Sequence, residues 1–550
     1  MLLSHLRDTP REARGWRLWF SAWAVGALGI SRGLDEGIIS GVLKQHSFIN
    51  TFGFDDNSPQ EATIASQLQL GSVAGSAIAF FLCDRLGRLR TSMLACLLWI
   101  FGTAIWMTSA GADGSHQPGN YHQLLAGRFI AGLGVGFTPV VAPVYLAEIA
   151  PKAIRGLCVC IFSGSVYIGI LLGYWSNYGT AVNMSANDSK QWTIPASINF
   201  IFAGLTFVAC CFAKESPRWL IKQGRYEEGR KVLSYLRNLD EDHPFIVNEV
   251  EVMEQQIHAE KQALEGLSLL QVLKKLITNK NNQYILFLGL GIQVLGQLSG
   301  GGVYTVFAPK IFGLLGVPGG YKTKLFTTGV FGIVKLVSSL AAAFFLVDLL
   351  GRKTAVTIGL LLQSICSLYL ALFLKFTVGV TKANETHSDK SAATGAIFFF
   401  YLSGLAWAIG VNSVQYLTQT EMFDITVRAL GVAIVSLVHF AMQYAATRTL
   451  NPMLNAWGNF GTFLFYAMIA LTGCLFVFFF MPETAGMQLE DIHKLFEKPW
   501  HSIGWTQNRP VNRQKATSTD VLAEEAQIAN DLSYDDQQKK SLDDADDKKH

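Results

Sequence analysis

The sequence is poor in charge: Asp, Glu, Lys and Arg make up 15% of its 550 residues, against 50% hydrophobic residues. A soluble chain of this size would have no polar coat, so the composition excludes a large soluble protein and places the chain in a bilayer. The signatures of soluble enzymes are missing as well. There is no HExxH, no P-loop and no serine elbow. Gly132-Leu133-Gly134-Val135-Gly136 lies inside a long apolar run, where small residues permit close helix packing. Cysteines are present but lie away from any outside loop: Cys83, Cys96, Cys158, Cys160, Cys210, Cys211, Cys366 and Cys474 all fall in or at the ends of apolar segments. Neither a disulfide framework nor a metal site is expected, and no cofactor. The first apolar segment lacks a small-residue cleavage site and is expected to stay as a span.

What the sequence has in abundance is long apolar runs. About twelve stretches of roughly 20 residues, each enough to cross about 30 Å of hydrocarbon, recur between residues 18 and 482. Arg7, Arg11, Arg14 and Arg17 precede the first, and Arg85, Arg88, Arg90, Lys152, Arg155, Arg352, Lys353 and Arg428 fall in even-numbered connections. By the positive-inside rule both termini are cytoplasmic; Lys310, Lys322 and Lys324 fall on the other side and are exceptions. Asn183, Asn187 and Asn384 are glycosylation candidates in connections that this topology puts outside, which implies the secretory route and makes the plasma membrane the expected location.

The expected fold is an all-α membrane protein of twelve transmembrane helices in two six-helix bundles. Its parts are a cytoplasmic segment over 1–17, bundles over 18–213 and 283–482, a cytoplasmic helical linker over 214–282, and a largely disordered cytoplasmic tail over 483–550.

A charged pattern occurs twice. Asp84-Arg85-Leu86-Gly87-Arg88 is followed by Glu148 and, seven residues later, Arg155; Asp348 to Lys353 is followed by Glu421 and, again seven residues later, Arg428. A third echo closes each half, Glu215-Ser216-Pro217-Arg218 in the first and Pro482-Glu483-Thr484 in the second. This is an internal duplication of a polytopic unit, a construction common among secondary transporters. Asp84, Arg85, Arg88, Glu148, Arg155, Glu215, Arg218, Asp348, Arg352, Glu421 and Arg428 form an expected cytoplasmic charge network. Its members can pair with helix ends and across the bundles, closing the cytoplasmic side while the cavity faces out.

The ordered set of motifs resembles the sugar porter branch of the major facilitator superfamily over residues 18–490, in particular fungal-type sugar/proton symporters. It comprises the elements above together with Gly127-Arg128-Phe129, Pro143-Val144-Tyr145, Trp219-Leu220 and Gln297-Leu298-Ser299-Gly300. The resemblance implies a carrier working by alternating access, a sugar-like substrate and proton symport.

Ionisable residues within spans cost about 2.5–3.5 kcal/mol each on insertion scales, so each is a functional candidate. Span 1 holds Arg32, Asp35 and Glu36, span 4 holds Arg128 and span 8 holds Lys335. In the resemblance, Asp35 matches the aspartate of proton-coupled members and Arg128 the arginine that controls it. Changing their separation moves a proton on and off Asp35. Arg32 and Glu36 depart from the family pattern; Arg32 lies three and four residues before the two carboxylates and can neutralise either.

For substrate, Gln297 matches one glutamine of the family's span 7 pair, with Gly296 in place of the other. Ser163 takes a span 5 glutamine position, Tyr416 a span 10 tryptophan position, and Gln443 the position of a sugar-contacting amide. With Gln293, Lys335 and His439 these complete the substrate candidates; amides suit several hydroxyls, and an aromatic face suits a ring. Gly300-Gly301-Gly302 implies a locally loosened span 7. Lys335, if it faces the cavity, seats a carboxylate such as that of a uronic acid or a quinate-like molecule; otherwise it pairs or snorkels.

The expected function is transport of a sugar or sugar-derived polyol or acid with proton symport. An anion-preferring carrier and a non-transporting nutrient sensor are the alternatives. The expected partners are a sugar-like small molecule, protons and membrane lipid, with no nucleic acid, and the chain is expected to work as a monomer and not as an enzyme.

Overall fold

A bilayer offers the backbone no hydrogen-bond partners, so a spanning chain must satisfy its own amides and carbonyls, and helices do this within one segment. The computed structural model describes residues 10, 12–54, 58–110, 120–151, 154–186, 188–317, 320–342, 351–377, 387–412, 415, 422, 423, 427–483 and 496, and among these it is helical with no strand. Lys152, Asn187, Asp348, Asn384, Tyr416 and Glu421 lie outside the described residues, as does the tail beyond Glu483 apart from Phe496.

Ten described helices are long and apolar enough to cross a membrane. The first span adds one more, interrupted at Ala27 into α1 (Trp16–Gly26) and α2 (Leu28–Val42). Next come α3 (Pro59–Leu86), α4 (Arg88–Met107), α5 (Tyr121–Ile149), α6 (Arg155–Asn183) and α7 (Lys190–Phe212). The polar stretch that follows folds as four helices, α8 (Pro217–Lys222), α9 (Tyr226–Arg237), α10 (Pro244–Leu264) and α11 (Leu269–Thr278).

The second half begins with α12 (Lys280–Leu298), α13 (Gly301–Val306) and α14 (Ala308–Leu314). It continues with α15 (Tyr321–Ala341), α16 (Arg352–Phe376), α17 (His387–Trp407, running on as π-helical turns over Ala408–Asn412) and α18 (Arg428–Phe480). α18 is 53 residues long but is kinked at Gly458, whose φ of 68° and ψ of 179° only glycine adopts readily, so it supplies two spans and brings the total to twelve.

Small residues set how closely the helices approach. A Cβ on Gly132 would run into the carbonyl oxygen of Leu68, and one on Gly136 into that of Ser72, both on α3; one on Gly134 would meet Ala95 on α4. The glycine-rich run therefore packs α5 against two neighbours at once, and Ser72 Oγ donates to Gly132 O at 3.1 Å across the seam. Gly33 and Gly37 let α2 approach a single neighbour closely, lying against Val166 and Ile170 of α6. This close packing buries the charged face of α2 inside the molecule.

The linker is docked by Arg237 of α9, which is wholly buried. Its Nη1 donates to Ile149 O at the end of α5 (2.8 Å), and its Nε and Nη2 donate to Glu249 at 3.0 and 2.7 Å. A guanidinium on the last carbonyls of a helix completes hydrogen bonds that the helix itself cannot make.

Candidate functional site

Arg32, Asp35 and Glu36 are all buried, 5–8% exposed, on one stretch of α2. Asp35 belongs to Arg128: Nη1 donates to Oδ1 and Nη2 to Oδ2, both at 3.0 Å, while Arg128 Nε donates to Ile64 O at 2.8 Å. Both carboxylate oxygens are thus taken by a planar fork, the strongest geometry available to such a pair. Arg32 turns the other way and pairs with Glu36, Nε to Oε1 at 3.3 Å. Of the two carboxylates open to Arg32 in the sequence, it is the one a full turn away that it meets.

Arg32 also crosses between the halves. Its Nη2 donates to Gln443 Oε1 at 3.2 Å and lies 3.2 Å from His439 Nε2, both on α18, and Gln443 Nε2 returns a bond to Glu36 Oε1 at 2.9 Å. Since a guanidinium only donates, His439 Nε2 accepts, and the ring proton sits on Nδ1, which donates to Gln293 Oε1 at 2.8 Å. Gln297 Nε2 lies 3.1 Å from the same Nδ1 and donates to Gln415 Oε1 at 3.4 Å. Gln293, Gln297, Gln443 and His439 therefore form one polar layer with Arg32 and Glu36.

Beside this layer lies a small cavity of about 20 Å³, room for about one water. Arg32, Glu36, Gln297, Lys335 and Gln443 line it, joined by Tyr167, Thr305, Trp407 and Asn412. Lys335 is 1% exposed. Its Nζ donates to Thr305 Oγ1 and faces the rings of Phe331 and Tyr167 at 5.1 and 5.9 Å. Among the described residues no carboxylate lies within ion-pair contact of it, and Glu36 of the same cavity wall is the carboxylate whose charge acts on it. Within the lining, Arg32 and Glu36 cancel, so Lys335 leaves one positive charge over.

Thr305, Tyr167, Trp407 and Asn412 are not among the candidates named from the sequence. Tyr167 stands one helical turn beyond Ser163, and Thr305 three residues beyond Gly302, so helical spacing from those positions would have reached both. Trp407 lies against Gly301, where a Cβ would collide with the indole. Span 7 breaks there, with α12 ending at Leu298 and Gly300 left-handed at φ 93°. Ser163 itself is half-buried on α6 and does not line the cavity.

At the linker end, the charges of the first half are brought together. Arg88 forks onto Glu148 (Nε to Oε2 2.9 Å, Nη2 to Oε1 2.8 Å) and donates through Nη1 to Asp84 at 2.8 Å. Lys222 reaches Asp84 at 3.3 Å and Glu260 at 2.9 Å. These pairs lie within the first half and its linker rather than between bundles.

Glu215 caps a helix instead of pairing with a side chain. It accepts from the backbone amides of Arg88 (3.1 Å), Leu89 (3.1 Å) and Ser216 (2.9 Å), closing the start of α4. Glu483 also caps a helix, α16, accepting from Arg352 N at 2.8 Å and Lys353 N at 3.2 Å. Orphan amides and the positive end of a helix favour such a carboxylate. Burial pushes the Glu215 carboxyl up from its usual range, and the three amides work against that shift. Arg218 pairs with Glu260 at 3.5 Å, and Arg428 Nε donates to Phe423 O at 3.1 Å. Arg85 and Arg155 are exposed and make no ion pair among the described residues. Asn183 is exposed at the end of α6, at the opposite end of the molecule.

Residues 22–496 match the family described as "Sugar (and other) transporter". The chain belongs to this family. It is accordingly a multi-pass integral membrane protein and a secondary transporter, not an enzyme. Among curated relatives, the quinate permease of Emericella nidulans is 33% identical over 500 residues, covering 90% of this chain and 92% of that protein. The quinate permease of Neurospora terricola is 33% identical over 512 residues, 91% and 93% of the two chains. Among solved structures, the xylose transporter XylE from E. coli in a partially occluded inward-open conformation superposes with a TM-score of 0.69 at 21% identity, covering 86% of this chain and all of that one. The two-bundle arrangement is thus that of the major facilitator fold.

Proposed function

We propose that this transporter is a proton-coupled carrier of a small polyhydroxylated acid, working by alternating access. The observation that carries the reading is Lys335, a buried ammonium in the cavity wall that hydrogen-bonds Thr305 and has no carboxylate in ion-pair contact among the described residues, while Glu36 of the same wall is held by Arg32. A monocarboxylate substrate would neutralise that charge on entering, and Gln297 and Gln443 would serve its hydroxyls. The names of the quinate permease relatives fit such a substrate. Asp35 and Arg128 are the proposed coupling pair, with the proton arriving when they are apart and leaving as the fork closes. The linker end is cytoplasmic on the arginine count, the membrane is the plasma membrane, and Asn183 is an outside sequon.

The second reading is a neutral sugar, with Lys335 held in place by Thr305 and the Phe331 and Tyr167 rings. Uptake of labelled quinate, galacturonate, glucose and myo-inositol by cells lacking hexose carriers, with and without a protonophore, separates the two. Acid uptake that collapses with the protonophore and falls at least about tenfold in a surface-expressed Lys335→Met variant is the expected result, a tenfold change being about 1.4 kcal/mol. Uptake of a neutral sugar unaffected by Lys335→Met would refute the acid reading, and uptake indifferent to the protonophore would make the protein a facilitator.

A further inference from the structure

Glu36 is a buried carboxylate that the proposed coupling pair does not use, and its two oxygens are served differently. Oε1 accepts from Arg32 Nε at 3.3 Å and from Gln443 Nε2 at 2.9 Å. Oε2 accepts no hydrogen bond among the described residues. The donors on Oε1 come from α2 itself and from α18, so they hold the carboxylate from two directions and fix which oxygen is left over. Glu36 is 6% exposed, and it lines the small cavity. A buried carboxylate oxygen is costly without a donor, and an ionised carboxylate can only accept.

Lys335 of the same wall is turned to Thr305 Oγ1 rather than to Glu36, and Thr305 Oγ1 in turn donates to Gly301 O at 3.0 Å. An ammonium can only donate. The cavity thus carries a donor-only group on α15 of the second half and an acceptor-only group on α2 of the first. Its present volume of about 20 Å³ takes one water-sized group, the size of a single hydroxyl.

We propose that Glu36 sets the specificity of the site: Oε2 accepts a substrate hydroxyl while Lys335 holds the substrate carboxylate, so the site selects hydroxylated monocarboxylates and rejects dicarboxylates. The inference rests on the acid reading above and adds to it the end of the substrate that Lys335 does not touch. A second carboxylate brought against Glu36 has no proton to give and meets a like charge. An acid without hydroxyls leaves Oε2 unserved, and a site built to bond a hydroxyl discriminates strongly against the analogue that lacks it. A hydroxylated monocarboxylate satisfies both walls and bridges the two halves.

The experiment reads ratios within one protein, so a change in the amount of folded carrier does not move them. Inhibition of labelled quinate uptake by gluconate, glucarate and cyclohexanecarboxylate is measured for the parent chain, Glu36→Gln and Glu36→Asp. The parent is expected to bind glucarate and cyclohexanecarboxylate each at least about tenfold more weakly than gluconate. Glu36→Gln can keep an oxygen on Arg32 and Gln443 and turn an amide N–H to the cavity, and is expected to erase the discrimination against glucarate. Glu36→Asp keeps the charge but is shorter by one methylene; it should still reject glucarate while losing most of the preference for gluconate over cyclohexanecarboxylate. Where a variant carries no quinate, the same ratios are read from ligand-induced shifts of the unfolding midpoint of the purified protein. An unchanged gluconate-to-glucarate ratio in Glu36→Gln, or an unchanged gluconate-to-cyclohexanecarboxylate ratio in Glu36→Asp, would overturn the proposal while leaving acid transport standing. If neither quinate nor galacturonate is carried and a neutral sugar is, the acid reading falls and this proposal with it.

Discussion

Asp35→Asn tests the central pair most directly. The Arg128 side chain is 1% exposed and that of Asp35 is 6%. An asparagine has one carbonyl oxygen and no charge, so it cannot take both guanidinium bonds, and Arg128 would be left as a buried cation held by Ile64 O. Removing one partner of a buried pair costs about 3–5 kcal/mol, whereas removing both charges together costs far less. At about 2 °C per kcal/mol, the lower end for a large chain, the unfolding midpoint of Asp35→Asn falls by roughly 6–10 °C. Adding Arg128→Met to it recovers most of that loss. The assay is dye-detected thermal unfolding of four purified proteins in one detergent, read as a double-mutant cycle, with substrate counterflow alongside. Exchange without accumulation is what the proposed proton coupling predicts for Asp35→Asn, since the substrate site would persist while the proposed proton site would be gone. A midpoint equal to the parent's, or a cycle in which the two single losses simply add, would refute the reasoning that the fork is what stabilises these charges.

Two further outcomes concern the linker end. Gly87 has φ 94° and ψ 168°, and a Cβ there would lie 2.6 Å from Glu215 Oε2; Gly87→Ala therefore strains the backbone and pushes the capping carboxylate aside, lowering the unfolding midpoint by the equivalent of about 1–3 kcal/mol, and a neutral effect would exclude this role for the glycine. Burial pushes the Lys222 ammonium down, but Asp84 and Glu260 more than offset this and leave it raised above 10.5. A raised lysine binds more protons in the folded state, so its contribution is full below pH 10.5 and is lost as the pH rises through the folded value. Lys222→Met should flatten the alkaline limb of the stability profile, and an unaltered limb would contradict the assignment.

Much of the fold is legible in the sequence because the membrane restricts the choices. Twelve apolar runs permit little other than twelve helices, and the repeated Asp-to-Arg motifs mark the halves. Pairings are less legible. Helical spacing allows Arg32 to meet Asp35 or Glu36, and only the position of Arg128, on a helix 93 residues further on, decides it. Gln293 and His439 lie 146 residues apart and meet at 2.8 Å, a contact that no local rule predicts. Trp407 escapes notice because an aromatic in an apolar span is ordinary, and what singles it out is the ring lying on Gly301. Lys310 stands out in the sequence as misplaced, but its reason lies in bonds to Glu61 and Asn451, each more than a hundred residues away.

The charged residues divide according to whether a bond must survive a change of state. Arg88 with Glu148, Glu215 on the start of α4 and Glu483 on the start of α16 join groups inside one half, and the alternating access proposed above would move each half largely as a body. Such bonds can be short, buried and permanent without slowing transport. Bonds between the halves face the opposite requirement, since every cycle breaks them. Between the halves the described bonds are single and spread over several residues: Arg32 meets His439 and Gln443 at 3.2 Å, Gln443 meets Glu36 at 2.9 Å and Glu61 meets Lys310 at 3.3 Å, whereas Arg88 holds Glu148 by a two-bond fork. Bonds that can break one at a time are what a carrier needs. Substitutions that strengthen them should slow turnover while raising stability, whereas substitutions of Arg88 or Glu148 should lower both.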